Sequence, residues 1–226
     1  MPKTLAIGDI HGARTALECL LDWVAPAADD TLVTLGDYVD RGPDSKGTIE
    51  LLISLQDQLD LIPLRGNHEV MLLQARHAPK LAEAWLECGG RETLASYGQA
   101  TVETIQSIPD SHWSFIGSTA LYHQTPSHIF AHANIDPGLP LDQQEESTLL
   151  WDFLMPDRSR PRHISGKTLV CGHSPQPTYL PLDLRTAIVI DTDPARGGWL
   201  TCLDTATGEY WQADECSRRR RGILPS

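Results

Sequence analysis

The sequence predicts an α/β fold in which helices pack on a buried sheet. Two patterns and one compositional fact carry that prediction. A short apolar run ending in a glycine-plus-polar cluster recurs five times along the chain. Between the first three of these runs lie segments with apolar residues at helical spacing. The 226 residues are 41% hydrophobic and 21% charged, enough to bury a substantial core as one unit.

In chain order, Leu5-Ala6-Ile7 is the first run and ends in Gly8-Asp9-Ile10-His11-Gly12. Continuous apolar runs of this length read as strands buried on both faces. Ala13 to Val24 follows with Leu17, Leu20, Leu21 and Val24 on one helical face. Thr31-Leu32-Val33-Thr34-Leu35 is the second strand and ends in Gly36-Asp37. Asp44 to Leu59 is the second helix, with Ile49, Leu52, Ile53 and Leu55 apolar. Leu61-Ile62-Pro63-Leu64 leads into Arg65-Gly66-Asn67-His68-Glu69. This strand–helix–strand order implies a sheet covered by helices. Residues 69–118 read as mostly helical, broken at Gly89-Gly90 and Pro109. A hairpin is expected around Gln124-Thr125-Pro126-Ser127. Strands His128–Phe130 and Thr168–Cys171 then end in Ala131-His132 and Gly172-His173, and further strands are expected at Ala187–Asp191 and Trp199–Leu203. Residues 212–226, with Arg218 to Arg221, read as a solvated, poorly ordered tail after a single domain spanning 1–211.

Composition narrows the function. Thirty acidic against eighteen basic residues give a formal charge of −12, which opposes non-specific binding to nucleic acid or to anionic membranes. No apolar run reaches the ~18 residues of a membrane span. The N-terminus runs straight into an apolar strand without the pattern of a secretion signal, so a cytoplasmic location is expected. Five scattered cysteines, none in a CxxC pair, suit neither a disulfide framework nor a thiolate zinc site. Cys19, Cys88, Cys202 and Cys216 sit among apolar neighbours and are expected to be buried, as is Cys171 in its strand.

The polar clusters matter because ligand sites in α/β sheets form at the carboxyl ends of strands. The five strand ends deliver Asp9, His11, Asp37, Asn67, His68, His132 and His173. Carboxylate, imidazole and amide are the ligands that hard or borderline divalent metals take. Each cluster alone is weak, since an Asp-x-His after a strand is more often a helix cap and a lone histidine more often a core residue. Five together, none with a thiolate, point to a two-metal site with Asp37 shared. Two ions ~3.5–4 Å apart clamp both oxygens of an in-line displacement and lower the pKa of water toward ~7.

Gly8-Asp9-Ile10-His11-Gly12, Gly36-Asp37-Tyr38-Val39-Asp40-Arg41-Gly42 and Gly66-Asn67-His68-Glu69 resemble the three signature motifs of the phosphoprotein phosphatase (PPP) family, in its compact bacterial or phage type, within the calcineurin-like metallophosphoesterases. The resemblance runs from about Lys3 to Trp211. It implies a central β-sandwich flanked by helices rather than a doubly wound sheet, with the active site at the carboxyl ends of the strands. It implies that Asp9 and His11 bind a first metal, that Asp37 bridges, and that Asn67, His132 and His173 bind a second. Two divalent ions are implied, Mn²⁺ first and Fe, Zn, Ni or Co as alternatives. His68, held by Asp40, is implied as the general acid, Arg41 as the phosphate-binding residue and Arg65 as a weaker candidate. A hydroxide held by the two metals would attack in line. No cysteine or serine nucleophile is needed.

The sequence departs from the family's pattern in three places. Asn134 follows His132-Ala133, and Asp193 follows Asp191-Thr192, where relatives carry glycine. The arginine that relatives place after the tryptophan near Trp151 is missing, because Asp152-Phe153-Leu154-Met155 stand there. Arg158, Arg160 and Arg162 are the candidates to replace it. An extra carboxylate and a displaced arginine near the mouth are expected to weaken substrate binding or change substrate preference. The first functional reading is a metal-dependent phosphomonoesterase acting on protein phosphoserine or phosphothreonine. The alternative is a symmetrical dinucleoside tetraphosphatase or other small-molecule phosphatase, which shares all three motifs. A binding module that kept the fold and lost activity is a third reading, opposed by the presence of every ligand together with His68 and Asp40. Residues 69–118 are expected to form the cap that selects substrate, a phosphorylated protein or a small phosphoester, with no nucleic-acid or membrane partner.

Overall fold

The computed structural model describes residues 2–225, without the side chain of Pro79. The elements run β1 (Thr4–Ile7), α1 (Arg14–Val24), β2 (Thr31–Thr34), α2 (Ser45–Leu55), β3 (Asp60–Pro63), α3 (Asn67–His77), α4 (Pro79–Trp85), α5 (Arg91–Ser96), α6 (Asp110–Ser118), β4 (Tyr122–Gln124), β5 (His128–Ala131), α7 (Glu146–Trp151), β6 (Thr168–Cys171), β7 (Leu182–Asp183), β8 (Ala187–Val189), β9 (Leu200–Asp204), β10 (Glu209–Ala213) and β11 (Arg219–Ile223).

Eleven strands form two mixed sheets, ordered β11-β10-β9-β1-β2-β3 and β4-β5-β6-β8-β7. The period-2 alternation of strand side chains explains why two sheets face each other. Ala6, Val33 and Leu203 of the first sheet meet Phe130, Val170 and Ile188 of the second in one buried cluster. Their neighbours point the other way. Leu5, Ile7 and Leu32 pack with Leu17, Leu20, Ile49 and Leu52 of α1 and α2. Ile129, Leu169 and Val189 pack with Leu149 and Leu150 of α7. Every one of these strand residues is buried, which is why the runs carry no polar alternation. The result is a β-sandwich flanked by helices, and no described helix is long and apolar enough to cross a membrane.

Within each sheet the strands that matter run parallel, β1 with β2 and β2 with β3, then β5 with β6 and β6 with β8. Their carboxyl ends deliver polar residues from both sheets to one edge of the sandwich. Asp44 caps α2, its carboxylate accepting from Gly47 N at 2.8 Å. That helix ends at Leu55 rather than Leu59, because residues 56–59 turn to feed β3.

Two expectations need correction. The C-terminal segment is not a loose tail, since Arg219–Ile223 pairs antiparallel with Glu209–Ala213 as the edge strand β11. Three successive arginines, Arg218 to Arg220, lie over aromatic rings. Arg220 stacks on Trp199 at 4.2 Å and Arg219 on Trp23 at 5.7 Å, while Arg218 covers the same Trp199 at 5.4 Å. A charge run that looks solvated in sequence is held here by stacking and pairing. Cys88 and Cys216 are exposed rather than buried, because Cys88 lies on the open side of the kinked helical stretch Leu86–Gly90 and Cys216 in the turn between β10 and β11; all five thiols are free.

Candidate metal centre and its cavity

The loops of the first two motifs are zipped together by backbone. Ile10 N and His11 N both donate to Asp37 O, at 3.1 and 2.7 Å, and Gly12 N donates to Tyr38 O at 2.8 Å. The third motif is tied to the second by Glu69, a buried carboxylate that accepts from Gly66 N, Asp37 N and Tyr38 N at 2.8–2.9 Å. Burial, then the nearby Asp37, push the Glu69 pKa up to about 7. The tightness of these turns forces left-handed backbone at non-glycine positions: His11 (φ 47°), Asp37 (φ 52°), Asp40 (φ 73°), Arg41 (φ 69°) and His173 (φ 58°). Such conformations cost energy and persist where the surroundings over-determine them, which is the mark of a functional site. Gly172 lets β6 come this close, since a Cβ there would collide with the Asp9 carboxylate.

The predicted ligands meet. His11 Nε2 lies 3.4 Å from Asp37 Oδ2, and His132 Nε2 lies 3.5 Å from Asp37 Oδ1. His132 Nε2 is 2.9 Å from Asn67 Oδ1 and 3.2 Å from His173 Nδ1, while His173 Nδ1 is 3.1 Å from Asn67 Oδ1. Asp9 sits beside them, accepting from His173 N at 3.0 Å. Two groups of three ligand atoms each fall within 4.8 Å of one another: His11, Asp37 and His68, and Asp37, His132 and His173. Asp37 belongs to both.

Chemistry makes this donor set suit cations. Each histidine turns one ring nitrogen toward a backbone carbonyl, His11 Nδ1 to Val39 O at 2.9 Å, His132 Nδ1 to Leu35 O at 2.8 Å and His173 Nε2 to Trp151 O at 3.2 Å. With the proton on that nitrogen, the other presents a lone pair to the centre. Burial, the main cause, lowers the pKa of His11 to about 3 and of His173 to about 4, so both imidazoles are neutral at pH 7. Burial likewise pushes Asp9 well up, with Asp191 and Asp37 adding to it. Acceptors facing acceptors around buried carboxylates are an arrangement that divalent cations satisfy.

His68 differs from the others. Its Nδ1–H donates to Asp40 Oδ2 at 2.6 Å, and its Nε2 lies 3.9 Å from Asp37 Oδ2. Burial opposes its charge, but Asp37 and the hydrogen-bonded Asp40 outweigh it and raise the pKa. Asp37 shows the converse. Burial alone would raise it, yet the surrounding imidazoles, His132 foremost, hold it below the usual carboxylate range. Arg41 donates from Nη1 to His11 Nε2 at 2.7 Å, and its buried Nε has no partner among the described residues.

Above the centre opens a cavity of about 540 Å³, with Asn67, His68 and Arg41 in its floor and Trp151, Glu87, Glu92 and Arg196 in its walls. With the geometry in view, comparison with known proteins decides the family. The sequence model of the calcineurin-like phosphoesterases matches residues 2–188. The chain belongs to that family. It is 33% identical over 214 residues to serine/threonine-protein phosphatase 1 of Salmonella typhimurium, covering 86% of this chain and 88% of that protein. It is also 32% identical over 145 residues to the symmetrical bis(5'-nucleosyl)-tetraphosphatase of Cellvibrio japonicus, 62% of this chain but 48% of that protein. A solved structure provisionally assigned as a diadenosine tetraphosphatase superposes with a TM-score of 0.63 at 25% identity, over 100% of this chain and 97% of that one.

Several expectations move. Arg65 is outside the cavity: its guanidinium donates to Thr119 Oγ1 at 3.0 Å and to Gly117 O at 2.9 Å, locking the turn after α6, and it borders a separate groove with Val70 and Leu73. Arg160 is spent on Asn134 Oδ1 and Ile135 O, at 3.2 and 3.0 Å, so the Asn134 departure serves to brace the loop after His132. Arg162 is tied to Thr168 Oγ1 and Arg185 O. None of Arg158, Arg160 and Arg162 lines the cavity; where the missing arginine was sought, Phe153 lies over the His173 ring at 4.7 Å. Asp193 adds no carboxylate to the cavity lining. It sits at φ 55°, a conformation glycine adopts without cost.

Sequence reasoning missed three groups. Asp191 is buried near Asp9 and Asp37, its pKa pushed up to about 7 by burial and then by Asp193 and Asp37. Trp85 Nε1 and Thr93 Oγ1 donate to the two oxygens of Asp40, at 2.8 and 2.7 Å, and Gly89 O accepts from Arg41 N at 3.1 Å. The signal for these was the kink at Gly89-Gly90, read only as a helix break. Arg196 carried no signal, since it belongs to none of the motifs.

Proposed function

We propose that this protein is a metal-dependent phosphomonoesterase, with phosphoserine or phosphothreonine in proteins as the first substrate class. The observation that carries the reading is that Asp37 joins two ligand groups beside a cavity lined by Asn67, Arg41 and His68, the last held by the buried Asp40. Asp9, His11 and Asp37 would hold one divalent ion, and Asp37, Asn67, His132 and His173 a second. Two such ions supply an activated water at neutral pH and neutralise charge on the phosphoryl oxygens. The chain's own groups do the rest. Arg41 offers a planar fork to phosphoryl oxygens, and its unpartnered Nε–H suits that acceptor. With an ion bound at His11 Nε2, the guanidinium would be displaced from that nitrogen, leaving Arg41 Nη1 free for phosphate. His68, its Nδ1–H held by Asp40, would carry a proton at Nε2 for the departing oxygen.

Two observations favour the protein-phosphatase reading over the dinucleotide one. The match to the Salmonella phosphatase spans nearly both chains, whereas this chain spans less than half the length of the Cellvibrio tetraphosphatase. Glu87 and Glu92 in the cavity wall oppose a substrate carrying several further phosphates. The whole-length likeness to the structure assigned as a diadenosine tetraphosphatase supports the second reading. A panel of phosphoserine peptide, phosphotyrosine peptide and diadenosine tetraphosphate separates them, run on protein stripped of metal and reloaded with one divalent ion at a time. The proposal expects inorganic phosphate from the phosphoserine peptide, fastest with Mn²⁺. ADP released from the dinucleotide at a much higher kcat/KM would establish the alternative instead.

A further inference from the structure

We propose that Arg196 is a second phosphoryl-binding arginine of this cavity, supplied from a loop after β8 and held in place by the C-terminal strand. The inference deepens the phosphomonoesterase reading and rests on it. A phosphoryl dianion over two metals and one guanidinium still presents oxygens to the cavity wall, and Arg196 is the other arginine lining that wall. Its guanidinium is exposed and enters no ion pair among the described residues. Arg65, Arg160 and Arg162 are committed to carbonyls and hydroxyls elsewhere.

The loop is built to present it. Asp193 turns the chain at φ 55°, Pro194–Arg196 forms one tight turn, and Gly197 turns it back at φ 84°. Gly198 N donates to Asp193 O at 2.9 Å and Trp199 N to Thr192 O at 2.9 Å, closing the loop at its base. Trp199 is then flanked by Arg218 and Arg220, and Arg220 also donates to Gln212 Oε1 at 2.7 Å and to Tyr179 O. Arg218 and Arg220 of the C-terminal segment thus anchor the loop that carries a different arginine to the substrate. Asp193 gains a purpose from this, because it starts the turn that aims Arg196.

The test uses inorganic orthophosphate as the probe, titrated calorimetrically into Mn²⁺-loaded protein. Phosphomonoester kinetics and metal content are measured alongside. Arg196→Gln should weaken orthophosphate binding about tenfold and raise KM by a similar factor, with metal content unchanged, as loss of one charged donor predicts. Arg196→Lys should recover part of the loss, since a point charge replaces a fork. Trp199→Ala should weaken binding in the same direction through the loop. Arg221→Gln removes the same charge from the far edge strand and should change neither quantity; an equal loss there would reduce the effect to net charge and overturn the assignment. Equal orthophosphate affinity in wild type and Arg196→Gln, or none in the wild type, would overturn it too. Arg196-dependent orthophosphate binding in a protein that hydrolyses no phosphomonoester would sink the functional reading and leave the assignment standing.

Discussion

The strand-end turns and the cap segment 85–93 meet at the Asp40–Arg41 peptide, and they hold their chemistry in opposite ways. On the strand side the motifs carry the ligands themselves, and carbonyls of other strand ends orient them, Val39 O for His11 and Leu35 O for His132. On the cap side nothing reacts. Trp85, Gly89 and Thr93 instead reach back across some fifty residues of sequence to fix Asp40 and Arg41, both in left-handed backbone. The difference teaches that the reacting groups lie inside the motifs, while the groups that fix Asp40 and Arg41 lie outside them. Damage to the two sides should therefore look different.

The largest effect is expected on the strand side. Asp37→Asn should reduce turnover to background and lower bound metal, because a neutral amide is a poor bridge between two cations. Metal analysis beside the assay checks this, and normal turnover at full occupancy would break the comparison at its root.

His68→Asn comes next and should discriminate between substrates. General acid catalysis contributes ~10²–10⁴-fold. A loss of that order is expected on phosphoserine peptide, where an alkoxide must leave, and a clearly smaller one on p-nitrophenyl phosphate, whose leaving group is stable unprotonated. Because His68 also sits in the first three-residue ligand group, metal must be counted in the same preparation. Equal losses on both substrates with metal retained would remove it from the acid role.

Thr93→Val sharpens the contrast from the cap side. It deletes the donor to Asp40 Oδ1 and the acceptor for Asp40 N, leaving every metal ligand untouched. Groups that orient a reacting residue cost ~10–100-fold when lost. A drop in that range is expected on phosphoserine peptide, with a shifted alkaline limb in the pH–rate profile and normal metal content. Loss of metal instead would make the cap part of the ligand scaffold. Arg65→Gln should do least, leaving KM unchanged and lowering the melting temperature by a few degrees at most, as loss of part-buried hydrogen bonds predicts.

This division also sets what the sequence can reveal. Strands β1 to β6, β8 and β9, the α1 and α2 helices and six metal-ligand candidates were legible because apolar runs and glycine-polar turns are local patterns. Two arginine readings failed for a single reason: proximity in sequence says nothing about where a long side chain spends its donors. Arg65 stands one residue from Gly66-Asn67-His68 and turns away to Thr119, whereas Arg196, outside every motif, reaches the cavity. The C-terminal arginines misled likewise, since their partners Trp23 and Trp199 lie far away in the chain.

The central claim is that Asp37 builds a two-ion centre, and an anomalous-difference map from crystals equilibrated with Mn²⁺ tests it most directly. The account predicts two peaks ~3.5–4 Å apart, one on either side of the Asp37 carboxylate, with Asp9 and His11 on the first and Asn67, His132 and His173 on the second. A single peak at saturating Mn²⁺ in active protein, or a pair that Asp37 does not touch, would contradict it.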